Sequence, residues 1–261
     1  MVDPLAYKYH AISPYNYVNN SPTLLIDPDG NEIIVGNSTA ATITKLAQIA
    51  ATSRGNERLQ KLMQSTNKYY TEAIFWTTSS GYDGRGDYGR ARTIYFVESA
   101  WRPTVDKGAN SSVYVLGHEM VHAYDHELTG ASGEGDRRNR ETNAVWFGNY
   151  LRSVYGEDKM RTRYSGLGLS FPSDPDRYNP KNEKVANFKT DFESQSGRIA
   201  AMGFSYTKSS EGEKEVTMYH IGLVNEEGKY IYAIYSSKED YDAAVKRVQE
   251  YQKKEEGDEK K

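Results

Sequence analysis

The sequence predicts an α+β protein: a small sheet, a histidine-bearing helix with a second long helix after it, and a C-terminal hairpin and helix. Three observations carry that reading. Runs rich in β-branched and aromatic residues occur at 71–78 (TEAIFWTT), 92–99 (RTIYFVES), 214–224 (KEVTMYHIGLV) and 229–237 (KYIYAIYSS). Two long segments between them keep a helical period and end at glycine. The last two runs are joined by NEEG, a hairpin turn.

In chain order, Asn31 to Val35 reads as a short strand, and Asn37 or Ser38 then caps a helix through ATITKLAQIAAT. NERLQKLMQS continues as a second amphipathic helix. The runs at 71–78 and 92–99 read as two strands of one sheet, separated by the glycine-rich loop SSGYDGRGDYGRA. Asn110 or Ser111 opens the helix that contains HEMVH, and Gly130 stands where a C-terminal glycine cap belongs. After the polar turn ASGEGD, a long helix runs through RRNRETNAVWFGNYLRSVY to Gly156, with Val145, Phe147, Leu151 and Val154 on its apolar side. Tyr164 to Lys181 reads as a long loop, and KEDYDAAVKRVQEYQ as a helix after the hairpin. The charge run KKEEGDEKK reads as a frayed, solvated tail.

A chain of 261 residues buries a real core without requiring two full domains. The 26% of charged residues, the low mean hydropathy and the lack of a long apolar run point to a protein with no membrane span. A net charge of -3 with mixed signs points away from nucleic acid, whose binding shows as a basic patch or stripe. Cysteine is absent, so a transition metal must be held by His and carboxylate. No signal peptide is expected in the opening residues, where Tyr, Pro, Asn and Asp interrupt every apolar run.

The chemistry concentrates in VYVLGHEMVHAYDHELTG. His118 and His122 are four residues apart, about 6 Å of rise and about 40° of rotation on a helix, so both imidazoles face one side and can share an ion. Glu119 follows the first His at the position of a general base for metal-activated water. Gly117 and two His are poor choices for a purely structural helix. The strand Thr93 to Val97 precedes this helix as an edge for an extended substrate. Five side chains compete as third ligand. His126 is eight residues past His118, about 12 Å along the helix, too far for bonds of about 2 Å to one ion. Asp125 is suited to orienting an imidazole, and Glu134 and Asp136 sit in a solvated turn. Glu141, near the start of the next helix, is favoured, because an antiparallel return brings it back beside the histidines.

LGHEMVHAYDHELTG, then RETNAVWFGNYLRSVYG, then RTRYSG resembles the NleD-like family of zinc metallopeptidase effectors over roughly Val113 to Gly166. That family follows its HExxH helix with a Glu-x-x-x-Val and Asn-x-x-Arg helix and an Arg-x-x-Tyr element. The resemblance implies a zincin-like metallopeptidase that binds Zn2+ through His118, His122 and Glu141, with Glu119 as base. Tyr164 is then the candidate hydrogen-bond donor to the developing oxyanion.

Separately, DPLAYKYHAISPYNYVNNSPTLLIDPDGN resembles the C-terminal boundary of an Rhs or YD-repeat core, with Ser21 in place of the commoner Asn before Pro22. Together the resemblances imply an Rhs-type polymorphic toxin, organised as a boundary segment (1–31), a metallopeptidase domain (32–180) and a hairpin-helix extension (181–261) in the same or a separate domain. It would be a secreted effector that cleaves a protein substrate in a target cell, with the Rhs shell and a cognate immunity protein as partners. Two other readings stand beside it: a non-catalytic Rhs-derived interaction module, and a housekeeping metallopeptidase.

Overall fold

The computed structural model describes residues 33–35, 39–74, 80–84, 92–97, 112–130, 137–191, 201–209, 216–224, 230–235, 237–243 and 246. The boundary-like segment 1–31, the helix-opening residues Asn37, Ser38, Asn110 and Ser111, the turn with Glu134 and Asp136, the NEEG turn and the charged tail lie outside them.

The chain begins with strand β1 (Ile33–Val35), then helices α1 (Thr39–Ala50) and α2 (Ser53–Met63). Strands β2 (Tyr69–Ile74), β3 (Gly81–Asp83) and β4 (Arg92–Val97) follow. Next come the two long helices α3 (Ser112–Thr129) and α4 (Arg137–Val154). A short ribbon of β5 (Arg163–Tyr164) and β6 (Leu169–Ser170) leads to β7 (Lys184–Asp191), β8 (Ala201–Ser209), β9 (Val216–Val224) and β10 (Tyr230–Tyr235). Residues 238–243 are helical.

Eight strands make one mixed sheet in the order β3-β4-β2-β1-β10-β9-β8-β7. β1, β2 and β4 are parallel neighbours, which requires crossovers, and α1 with α2 supplies the one between β1 and β2. β10 returns antiparallel to β1, with Tyr232 opposite Ile33. The C-terminal strands therefore extend the sheet that begins with β1. α1 and α3 lie against the sheet, while α2 packs on α1 and α3, and α4 on α3. Leu46, Ile49, Leu59, Phe96, Leu116 and Met120 sit in the core between these layers. Two phenols contribute as well. Tyr155 donates to Gln48 O at 2.6 Å and Tyr206 to Ala50 O at 3.1 Å, so both satisfy carbonyls at the end of α1 that helix geometry leaves open.

Several expectations change against this frame. α2 starts at Ser53 rather than Asn56, because Thr52 caps it by accepting from Gly55 N. β2 starts at Tyr69, two residues before the expected strand. Part of the glycine-rich loop is β3, which pairs with β4 through Tyr82 opposite Ile94 and Asp83 opposite Thr93. β4 is consequently not an edge over Thr93 to Tyr95; it has β2 on one side and β3 on the other. The loop from Tyr164 to Lys181 contains the end of β5, then β6 and two 3-10 turns, and it buries Tyr178. β7 and β8 went unread in the sequence; a bulge between Ala186 and Lys189 breaks the alternation of β7.

Candidate metal centre

α3 ends as its sequence requires: Gly130, at φ 65°, donates its N–H to His126 O at 2.9 Å. α4 ends with Gly156 at φ 74° and a Glu157 N–H to Arg152 O bond of 2.9 Å. Between these ends the two helices pack closely at Gly117. A Cβ there would lie 2.4 Å from Leu151 Cδ1 and 3.2 Å from Phe147 Cε1. Gly117 thus has a structural purpose, contrary to its reading as a poor structural choice. The same close approach holds the first turns of α4 beside the histidine face of α3.

On that face the ligand atoms of His118, Glu119 and His122 all lie within 4.8 Å of one another. The two imidazoles meet edge to face, with centroids 5.1 Å apart. Glu141 reaches them from α4, its Oε2 3.2 Å from His118 Nε2 and 3.7 Å from His122 Nε2. The side chains of His118, His122 and Glu141 are only 12%, 16% and 12% exposed. Glu119 is buried too.

Electrostatics follow from this crowding. Burial pushes the His118 pKa down, against the pull of Glu141. For His122 burial acts the same way, but the Glu141 hydrogen bond and the charges of Glu119, Glu141 and Asp125 outweigh it and raise the pKa. Burial would raise Glu141, yet hydrogen bonds with His118 and His122 hold it well below the usual carboxylate range.

Tyr164, on β5, lies over the cluster. Its ring is within 9° of parallel to the His118 imidazole, with centroids 6.3 Å apart. The Arg161 guanidinium carbon is 4.6 Å from the same tyrosine ring. Burial first, and then the Glu141 carboxylate, raise the Tyr164 pKa, so the phenol keeps its proton at neutral pH.

Asp125 and the third histidine are occupied elsewhere, and Glu134 and Asp136 lie outside the described residues. Asp125 accepts from Asn143 Nδ2 at 3.3 Å, a tie between α3 and α4. His126 is buried toward β3, its Nδ1 2.8 Å from Tyr82 Oη. Beside it, Glu127 accepts from Tyr69 Oη at 2.6 Å, Asn67 Nδ2 at 3.1 Å and Arg92 Nη1 at 3.2 Å. Sequence reasoning gave no role to Asn149, whose side chain holds the backbone of Arg161. The available signal was a polar Asn among the apolar positions of α4. No family model matches this chain, and no curated protein and no solved structure matches it.

Proposed function

We propose that the chain is a zinc-dependent endopeptidase of the HExxH type and the toxic tip of an Rhs-type polymorphic toxin. One observation supports the chemistry above all others: His118, His122 and Glu141 converge from two helices, with Glu119 adjacent. Donors around one tetrahedral ion with bonds of about 2 Å lie about 3.3 Å apart. The separations of 3.2 and 3.7 Å between Glu141 and the two imidazole nitrogens fit that spacing. Two imidazoles and a carboxylate without thiolate are also the donor set of hydrolytic zinc sites.

His118, His122 and Glu141 would hold the cation, which when bound lowers the pKa of a water toward about 7 and polarises a carbonyl oxygen. Glu119 takes the proton from the attacking water and returns it to the leaving amine. Tyr164 donates its phenol proton in a hydrogen bond to the carbonyl oxygen as negative charge develops there. The Asp125 to Asn143 bond keeps α3 and α4 in register while this happens.

The biological reading is supported by the Rhs-like segment ahead of the catalytic block. It makes the protein a secreted effector that acts on proteins of a target cell, with an immunity protein and the Rhs shell protecting the producer. No helix among the described residues is long and apolar enough to cross a membrane.

Metal analysis with a peptidase assay and a growth assay tests both levels. Purified protein should carry one zinc per chain and cleave an unfolded protein. Glu119→Gln should keep the zinc and lose at least about 10²-fold in rate. Expression of residues 31–261 in bacterial or eukaryotic cytoplasm should stop growth, and the Glu119→Gln form should not. Protein without zinc argues for the interaction module. Cleavage that harms neither host argues for a housekeeping peptidase.

A further inference from the structure

Tyr164 sits on a ribbon with little apolar surface to hold it. Thr162, Arg163, Ser165, Gly166, Gly168 and Ser170 are all exposed. Segments of this kind open readily unless something fixes their backbone. Asn149 does so from the middle of α4, where it is 0% exposed. Its Oδ1 accepts the Arg161 N–H at 2.8 Å and its Nδ2 donates to the Arg161 carbonyl at 3.0 Å. One carboxamide thereby supplies both bonds that a neighbouring strand would supply. Asn is a poor helix former, and an apolar residue would pack α4 at lower cost, so its burial there calls for a purpose.

Two further bonds complete the ribbon. Phe171 N–H donates to Thr162 O at 2.9 Å, and Arg138 Nη1 donates to Leu167 O at 2.9 Å. Three residues beyond the Asn149 grip, Tyr164 lies over His118, with the Arg161 guanidinium against its ring.

We infer that Asn149 is a positioning residue for the reaction: through the backbone of Arg161 it places the Tyr164 phenol over the His118, His122 and Glu141 cluster. The inference rests on the peptidase reading, in which Tyr164 acts on the substrate carbonyl. Misplacing a reacting group by about 1 Å can cost about 10²-fold in rate, so two bonds to a buried amide are enough to matter.

Hydrogen exchange and a double-mutant cycle test it. In the parent, the Arg161 amide should exchange slowly although it lies at the surface end of a ribbon. Asn149→Ala and the near-isosteric Asn149→Asp should both speed exchange across 161–171 while α3 stays protected and zinc content stays at one per chain. Tyr164→Phe should lower kcat by about 10²-fold. Asn149→Ala should lower kcat by about 10-fold with KM within about twofold, and by less than about twofold when Tyr164 is already Phe. A fast-exchanging Arg161 amide in the parent overturns the inference without any variant. Independent, additive losses from Asn149 and Tyr164 overturn it as well. If instead Glu119→Gln cleaves as well as the parent, the peptidase reading fails, and exchange at Arg161 still reports separately on the grip.

Discussion

α3 carries two clusters made from the same residue types, and they have opposite characters. Near its middle, His118 and His122 face Glu141, so three groups that offer lone pairs to a cation point at one another. One turn further on, His126 and Glu127 face partners that complement them: Tyr82 for the imidazole, and Tyr69, Asn67 and Arg92 for the carboxylate. The second cluster is complete as it stands and ties the end of α3 to β2, β3 and β4. The first gathers two imidazoles and a carboxylate from two helices in an arrangement that could hold a cation. Histidine beside glutamate is therefore not by itself a metal site. The groups opposite decide whether such a pair is already satisfied within the protein or could also take an ion.

The largest effect expected from this contrast comes from emptying the first cluster. His118→Ala or His122→Ala should abolish stoichiometric zinc and all peptidase activity, and Glu141→Ala should weaken zinc binding by at least about 10-fold, since removal of even a supporting group typically costs 10–100-fold in affinity. Equilibrium dialysis against a zinc buffer reads both. Full zinc binding by Glu141→Ala would mean that α4 contributes no ligand.

Breaking the second cluster should cost stability and leave the metal alone. His126→Ala removes the imidazole bonded to half-buried Tyr82, a loss of about 0.5–1.5 kcal/mol. Thermal unfolding should show it as a drop of several degrees, with zinc content unchanged. Zinc loss in this variant would erase the distinction between the two halves of α3.

The smallest effect concerns acid. Burial would raise the pKa of Glu127, but hydrogen bonds from Tyr69, Ser65 and Asn67 and the charge of Arg92 lower it below the ordinary 4.5. A carboxylate with a depressed folded pKa adds stability that is complete above its unfolded value. That stability is lost as pH falls below 4.5 through the folded pKa. Glu127→Gln should flatten this part of the acid limb of a stability-versus-pH curve, and an unchanged slope would show that the carboxylate is not held by its partners.

The helical elements were legible because their signals are local. The apolar periods of α1, α3 and α4 lie within the segments they define, and Gly130 and Gly156 stand where α3 and α4 stop. The sheet was read less well. β3 is only GYD, and it becomes a strand because β4 offers it backbone partners, so no pattern inside three residues announces it. β7 carries a bulge, and a shift of one residue exchanges the faces of a strand and erases its alternation. The same blindness made β4 look like a free edge.

What the sequence by itself determined is the pairing of His118, Glu119 and His122. Four residues of helix put both imidazoles on one side whatever surrounds them, because backbone geometry alone sets the rise and rotation. Only the tertiary structure decided which carboxylate joins them. Glu141 and Asp125 are equally good ligands by type, but close packing at Gly117 brings Glu141 to the imidazoles, while Asn143 engages Asp125. The tertiary structure also decided that Tyr164 lies over the site. Tyr164 does so because an amide on α4, in a different element of the fold, grips the backbone that carries it, and contacts between separate elements leave no period in the sequence for a local reading to find.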